Sequence, residues 1–151
     1  STIGADIAAS KGIIVTTSAG NSGDKKWKYI TAPADADSVL AIGAVNFKRG
    51  YGNFSSVGPS VDGRIKPEVM AQGVSATVQH VNGSIGTANG TSFSGPIIAG
   101  AVACLVQAYP EKSNMEIIKA VILSSDNVKK PNDKYGYGKK HHTADISRAA
   151  R

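Results

Sequence analysis

The chain has 151 residues, 41% of them hydrophobic, with 17 glycines and a formal net charge of +6. That size suits one domain with a real core, and the glycines point to many turns. A single cysteine, Cys104, excludes an intramolecular disulfide, and scattered lysines without interleaved aromatics favour a solvated basic surface over a nucleic-acid partner.

Residues 5–10 read as the end of a helix. Lys11 and Gly12 close it, a basic residue and then glycine being the expected C-terminal signal. Residues 13–18, Ile-Ile-Val-Thr-Thr-Ser, form a β-branched run without polar alternation. That predicts a strand buried on both faces, as in parallel sheets. The strand runs into Ala19-Gly20-Asn21-Ser22-Gly23, where an Asn between glycines suits a turn. Residues 24–27 are polar loop, with Trp27 and Tyr29 covering apolar surface. A proline-containing connection, 32–37, leads to a second buried strand at 38–45. Asp35 and Asp37 are a pair that could hold Ca²⁺, but the oxygen ligand count such an ion needs is not visible, so no metal or other cofactor is expected. Gly58-Pro59 marks a turn. Residues 74–78 and a stretch near 85–88 read as an antiparallel pair, with His80 a loop side chain between them.

The string Asn89-Gly90-Thr91-Ser92-Phe93-Ser94-Gly95-Pro96 then precedes a long apolar run, 97–106. Proline lacks an N–H and is tolerated in a first helical turn, so a helix is expected to begin within a few residues before Pro96. Ser92 then lies at or next to a helix N-terminus, among unpaired N–H groups that stabilise negative charge. Acyl transfer through a serine needs that environment for its oxyanion. An ordinary N-cap serine meets the same description. The helix, about 93–108, is expected to be the most buried element, with Gly100 too crowded for a larger side chain and Cys104 an inert buried thiol. The run 97–109 is too short to span a bilayer. Pro110 ends the helix. Ser113 caps a further helix, 114–123, with Glu116 as its capping-box partner.

Gly-Thr-Ser-x-Ser-x-Pro followed by a small-residue helix resembles the nucleophile motif of the subtilisin-like serine proteases, the subtilases. The resemblance implies Ser92 as the nucleophile of a serine endopeptidase acting on peptide or protein substrates. It implies Asn21, in the Gly-Asn pair at a strand end, as the side chain that donates to the oxyanion. Ser18, Ala19 and Gly20 before it, and Thr31 and Ala32 in the next loop, would line the substrate pocket. Phe54-Ser55-Ser56-Val57-Gly58-Pro59 and Lys66-Pro67-Glu68-Val69-Met70-Ala71-Gln72-Gly73 resemble two more family segments, with Gln72 where the family usually has proline. Tyr135-Gly136-Tyr137-Gly138 resembles the last one.

Buried strands linked through helices imply an α/β fold, and the resemblance makes it part of a subtilisin-like doubly wound parallel sheet with flanking helices. Residues 1–138 are read as the C-terminal part of a catalytic domain and 139–151 as a divergent or artificial tail. His141 and His142 lie in that tail, and 144–150 could form a terminal helix. The family's Asp and His motifs precede the Asn, and this chain contains neither. The implied partner is therefore the missing N-terminal part of the domain, and the isolated chain is expected to be inactive. The first strand would present an open apolar edge. Ser1-Thr2-Ile3 reads as an internal start without a signal peptide, while the resemblance implies an extracellular or periplasmic protein. A non-catalytic structural or binding module on the same scaffold is the alternative.

Overall fold

A computed structural model describes residues 1–139. Its elements are α1 (Thr2–Ser10), β1 (Val15–Ser18), β2 (Val39–Val45), β3 (Val69–Gln72), β4 (Ala76–Gln79), β5 (Ile85–Ala88), α2 (Thr91–Ala108) and α3 (Asn114–Leu123). The first three strands form a parallel sheet in the order β1-β2-β3, and β4 and β5 form a separate antiparallel pair. Val15 is in register with Val39, and Ile42 with Val69.

The sheet is organised on β2, whose seven residues are all buried. A strand covered on both faces needs an unbroken apolar run, and Val39-Leu40-Ala41-Ile42-Gly43-Ala44-Val45 supplies it. Alternation sends successive side chains to opposite faces. Leu40 and Ile42, with Val69 and Ala71, join Ile98, Val102 and Leu105 of α2 and Ile117, Ile118 and Val121 of α3 in the main core. Ala41 packs with Ala19, Ile30 and Ala34 of the following loop in a second, smaller cluster.

Several expectations change here. β1 is half-buried along its length rather than covered on both faces, because β2 is its one strand neighbour among the described residues. The links between the parallel strands, 19–38 and 46–68, contain no helix. They are loops cross-braced by backbone hydrogen bonds, Ile30 N–H to Val57 O and Val57 N–H to Lys28 O. β3 was not foreseen as a strand: it is short and follows Lys-Pro-Glu, a sequence without strand character.

α2 is not the most buried element. Thr91, Ser94, Gly95, Ile98, Val102 and Leu105 are buried along one stripe, whereas Ile97, Gly100, Cys104 and Val106 are exposed. A Cβ added at Gly100 meets nothing within 4 Å. Gly100 is therefore not crowded, and Cys104 is not a core thiol. Counting from Ile97 also understated the helix: its 18 residues, with mean hydropathy 1.4, are long and apolar enough to cross a membrane. Here that helix packs on all three parallel strands. Pro96 lies in its second turn, not its first.

Lys66 and Glu68 form a buried ion pair, Lys66 being only 1% exposed. The Lys66 ammonium also donates to Val39 O at 3.2 Å, and Glu68 Oε2 accepts from Ala41 N–H at 2.7 Å. Burial pushes the Glu68 carboxyl up, while the Lys66 ammonium and the Ala41 N–H oppose that shift. The capping box of α3 forms as expected, with Ser113 accepting from Glu116 N–H and Glu116 accepting from Ser113 N–H. Gln72, in the family's proline position, donates from Nε2 to Ser75 O at 3.3 Å and so ties the turn that proline would stiffen. Lys139, the first residue assigned to the tail, is held by the body of the fold through its N–H to Asp126 Oδ1 at 2.8 Å. His141, His142 and the helix expected at 144–150 lie outside the described residues.

Candidate active site

β1 ends in Ser18, and the chain turns through Ala19, Gly20 and Asn21 toward the start of α2. Gly20 has φ +105°, and a Cβ there would lie 2.8 Å from Ser56 Oγ. Both facts demand glycine. The Phe54-Ser55-Ser56 segment holds this turn from behind. Ser56 N–H donates to Gly20 O at 2.8 Å, Ser22 N–H donates to Ser56 Oγ at 3.1 Å, and Gly23 N–H donates to Phe54 O at 2.8 Å. A segment noted in the sequence only for its resemblance thus has a physical task.

Thr91, the first residue of α2, joins that turn to the helix. It is 1% exposed. Asn21 Oδ1 accepts from the Thr91 N–H and from the Thr91 hydroxyl, both at 2.9 Å. The Thr91 hydroxyl accepts from Gly20 N–H at 3.3 Å, and Thr91 O accepts from Ser18 Oγ and Ser94 Oγ, each at 2.9 Å. A backbone N–H can only donate, so the oxygen of the Asn21 amide must face Thr91. Its two Nδ2 protons have no partner among the described residues. Asn21 also caps the helix, because Gly90 at the N-cap has no side chain to do so.

Ser92 is the second residue of α2 and is exposed. Its N–H is one of the unpaired donors of a helix start. Its hydroxyl makes no hydrogen bond among the described residues. Pro96 has no N–H to offer the Ser92 carbonyl, so the backbone around Ser92 is freer of helical bonding than in an uninterrupted helix. Just upstream, Ser75 N–H donates to Asn89 Oδ1 at 2.7 Å and Gly90 N–H donates to Gly73 O at 2.8 Å, which fix the approach to the helix.

The sequence-derived residues are therefore partly assembled. Ser18, Gly20 and Asn21 all bond to Thr91, the neighbour of Ser92, although no hydrogen bond joins Asn21 to Ser92 itself. Ala19 is buried below them. Thr31 and Ala32 are exposed and make no bond to Asn21, but Ile30 and Ala34 on either side of them pack with Ala19. Thr91 was missed as a positioning residue. Its only sequence signal was its place in Gly-Thr-Ser. His80 lies at the turn of the β4–β5 hairpin, where its N–H donates to Ser84 O. The four residues of β5, at about 3.3 Å each, separate that turn from Asn89, which keeps His80 away from Ser92. Asp35 and Asp37 have other partners: Asp35 Oδ1 accepts from Thr2 Oγ1, and Asp37 pairs with Arg64 at 3.4 Å.

The chain as a whole is similar to known proteins. Subtilisin DY of Bacillus licheniformis is 36% identical over 135 residues, covering 89% of this chain and 46% of the relative. Subtilisin E of Bacillus subtilis (strain 168) is 37% identical over 113 residues, 74% of this chain and 28% of the relative. The mouse membrane-bound transcription factor site-1 protease is 29% identical over 121 residues, 75% of this chain and 11% of that protein. The chain thus spans less than half the length of these curated relatives. Among solved structures, the prenylagaramide maturation protease PagA superposes with a TM-score of 0.79 at 23% identity, over 97% of this chain and 54% of the other. At that identity it shows the fold alone. The Subtilase family model matches residues 2–138, from the first turn of α1 to the glycine that closes the described loop, and the chain belongs to that family.

Proposed function

We propose that this chain carries the nucleophile and the oxyanion-binding amide of a subtilisin-like serine endopeptidase that works through an acyl-enzyme. Ser92 attacks the peptide carbonyl. Its own N–H and Asn21 Nδ2 donate to the oxyanion, and Ser18 to Gly20 with Thr31 and Ala32 border the bound peptide. The observation that carries this reading is the double hold of Thr91 on Asn21 Oδ1, which turns the amide's donors outward beside the helix start. A neutral amide donates at any working pH, and fixed donors of this kind stabilise developing negative charge without reorganising.

A serine hydroxyl needs a general base. Among the described residues no His, Asp or Glu is bonded to Ser92. We assign the base and its orienting acid to a further polypeptide segment carrying the family's Asp and His motifs, and we take the isolated chain to be inactive. The packing of α2 on the sheet supports a core helix rather than a membrane span. The subtilisin relatives support a protein that acts outside the cytoplasm.

A fluorophosphonate probe tests this directly. The isolated chain is expected to resist labelling. Joined to the N-terminal part of a subtilisin relative, it should label at Ser92, and Ser92→Ala should abolish the signal. A joined protein that folds yet never labels would leave the non-catalytic module as the better reading. Labelling of the isolated chain would reveal an unassigned base.

A further inference from the structure

Away from Ser92, the loop that follows Asn21 forms an open cavity of about 270 Å³ against the 59–61 turn. Trp27, Tyr29, Ile30, Pro59 and Val61 form its apolar walls and Asp35 its charged one. Trp27 and Tyr29 meet edge to face, with ring centroids 5.6 Å apart. Trp27 is 64% exposed, an unusual position for the chain's one tryptophan if it serves the core alone. Small-molecule and cofactor sites start at about 300 Å³. This cavity is smaller, the size for one side chain.

Charge decides which side chain. Asp35 is half-buried. Its carboxylate accepts from the Thr2 hydroxyl at 2.8 Å, and no cationic group lies within 4 Å of it among the described residues. Arg64 does reach this loop, but its guanidinium donates to the carbonyls of Asp35 and Ala36 and pairs with the carboxylates of Asp62 and Asp37. Among the described residues the Asp35 carboxylate thus forms no ion pair, and a cation entering the cavity would be attracted by both the carboxylate and the aromatic rings. Tyr29 already draws one ammonium, that of Lys28, to 5.7 Å from its ring centroid.

We propose that this cavity binds the side chain of a lysine or arginine presented by a peptide. The aliphatic stem lies against Ile30, Pro59 and Val61, and the cationic head meets Asp35 and the aromatic pair. Ile30 also packs against Ala19 beneath the Asn21 turn, so the occupant rests on the loop that carries Thr31 and Ala32. The proposal does not depend on catalysis by Ser92.

Because Trp27 is the only tryptophan, its emission reports the cavity. The chain is titrated with the N-acetyl methylamides of lysine, arginine and norleucine, the last with a similar stem and no charge. Lysine and arginine derivatives should give a saturable change in the millimolar range that weakens with added salt, and norleucine should bind at least tenfold more weakly. Asp35→Asn should lower the lysine affinity at least tenfold with far-UV circular dichroism unchanged. If that variant fails to fold, the lysine-against-norleucine comparison on the unaltered chain decides alone. No saturable response to either cation, equal binding of norleucine, or undiminished binding by a folded Asp35→Asn variant would overturn the proposal.

Discussion

Thr91→Val removes a hydroxyl that both donates to Asn21 and accepts from Gly20. The methyl that replaces it keeps the volume but leaves the Gly20 N–H without that acceptor. An unsatisfied buried donor costs about 1–3 kcal/mol. Urea unfolding should show a loss in that range for Thr91→Val, and Thr91→Ser should recover most of it. Ser92 and its helix start were legible in the sequence, because a proline and an apolar run bracket them. The bonds of Thr91 were not. Residue types tell which groups need partners, but Asn21 and Thr91 lie 70 positions apart, and only the folded chain shows that they meet. The pairing of Ser22 and Gly20 with Ser56 was hidden for the same reason.

Elements were legible where the pattern was strong. β2 is apolar throughout, and α3 has a capping box at one end and an apolar stripe behind it. α2 misled because its composition is apolar nearly all round, although only one stripe is buried in this chain. That correction reverses an expectation at Gly100. With open space around it, Gly100→Ala should stabilise by about 0.5–1 kcal/mol through helix propensity, read as a higher thermal midpoint. A lower midpoint would mean a contact not seen here. At α3, hydrogen bonds from the N–H and hydroxyl of Ser113 hold the Glu116 carboxyl below its usual value. A carboxylate with a depressed folded pKa stabilises fully above its unfolded pKa, near 4.3, and less as pH falls through the folded value. The stability gap between the unaltered chain and Glu116→Gln should therefore be constant near neutrality and shrink below about pH 4. A gap that widens in acid would refute the capping account.

Across the molecule, β3 and the long link before it must be fastened to β2. Lys66 and Glu68 do this at the point where β3 begins beside β2, with the pair bonded on one side to Val39 and on the other to Ala41. Lys66→Met strands a buried carboxylate, and breaking a buried pair in this way costs about 3–5 kcal/mol. The urea midpoint should fall accordingly, whereas a shift under about 1 kcal/mol would mean that water reaches Glu68 and replaces the ammonium. From sequence the sheet's class was legible, but not its limits. β1 was written with the residues of an interior strand, and a one-dimensional pattern does not say whether both of its neighbours are present. The same long-range bonding gives the site a history. On a ribosome adding about 5–20 residues per second, the Asn21 turn waits roughly 4–14 s for Thr91 to be made. By then all five strands have been translated. The Asn21 turn and the helix start that carries Thr91 and Ser92 therefore come together only late in synthesis, and a nascent chain holds neither part of the proposed site in place until α2 emerges.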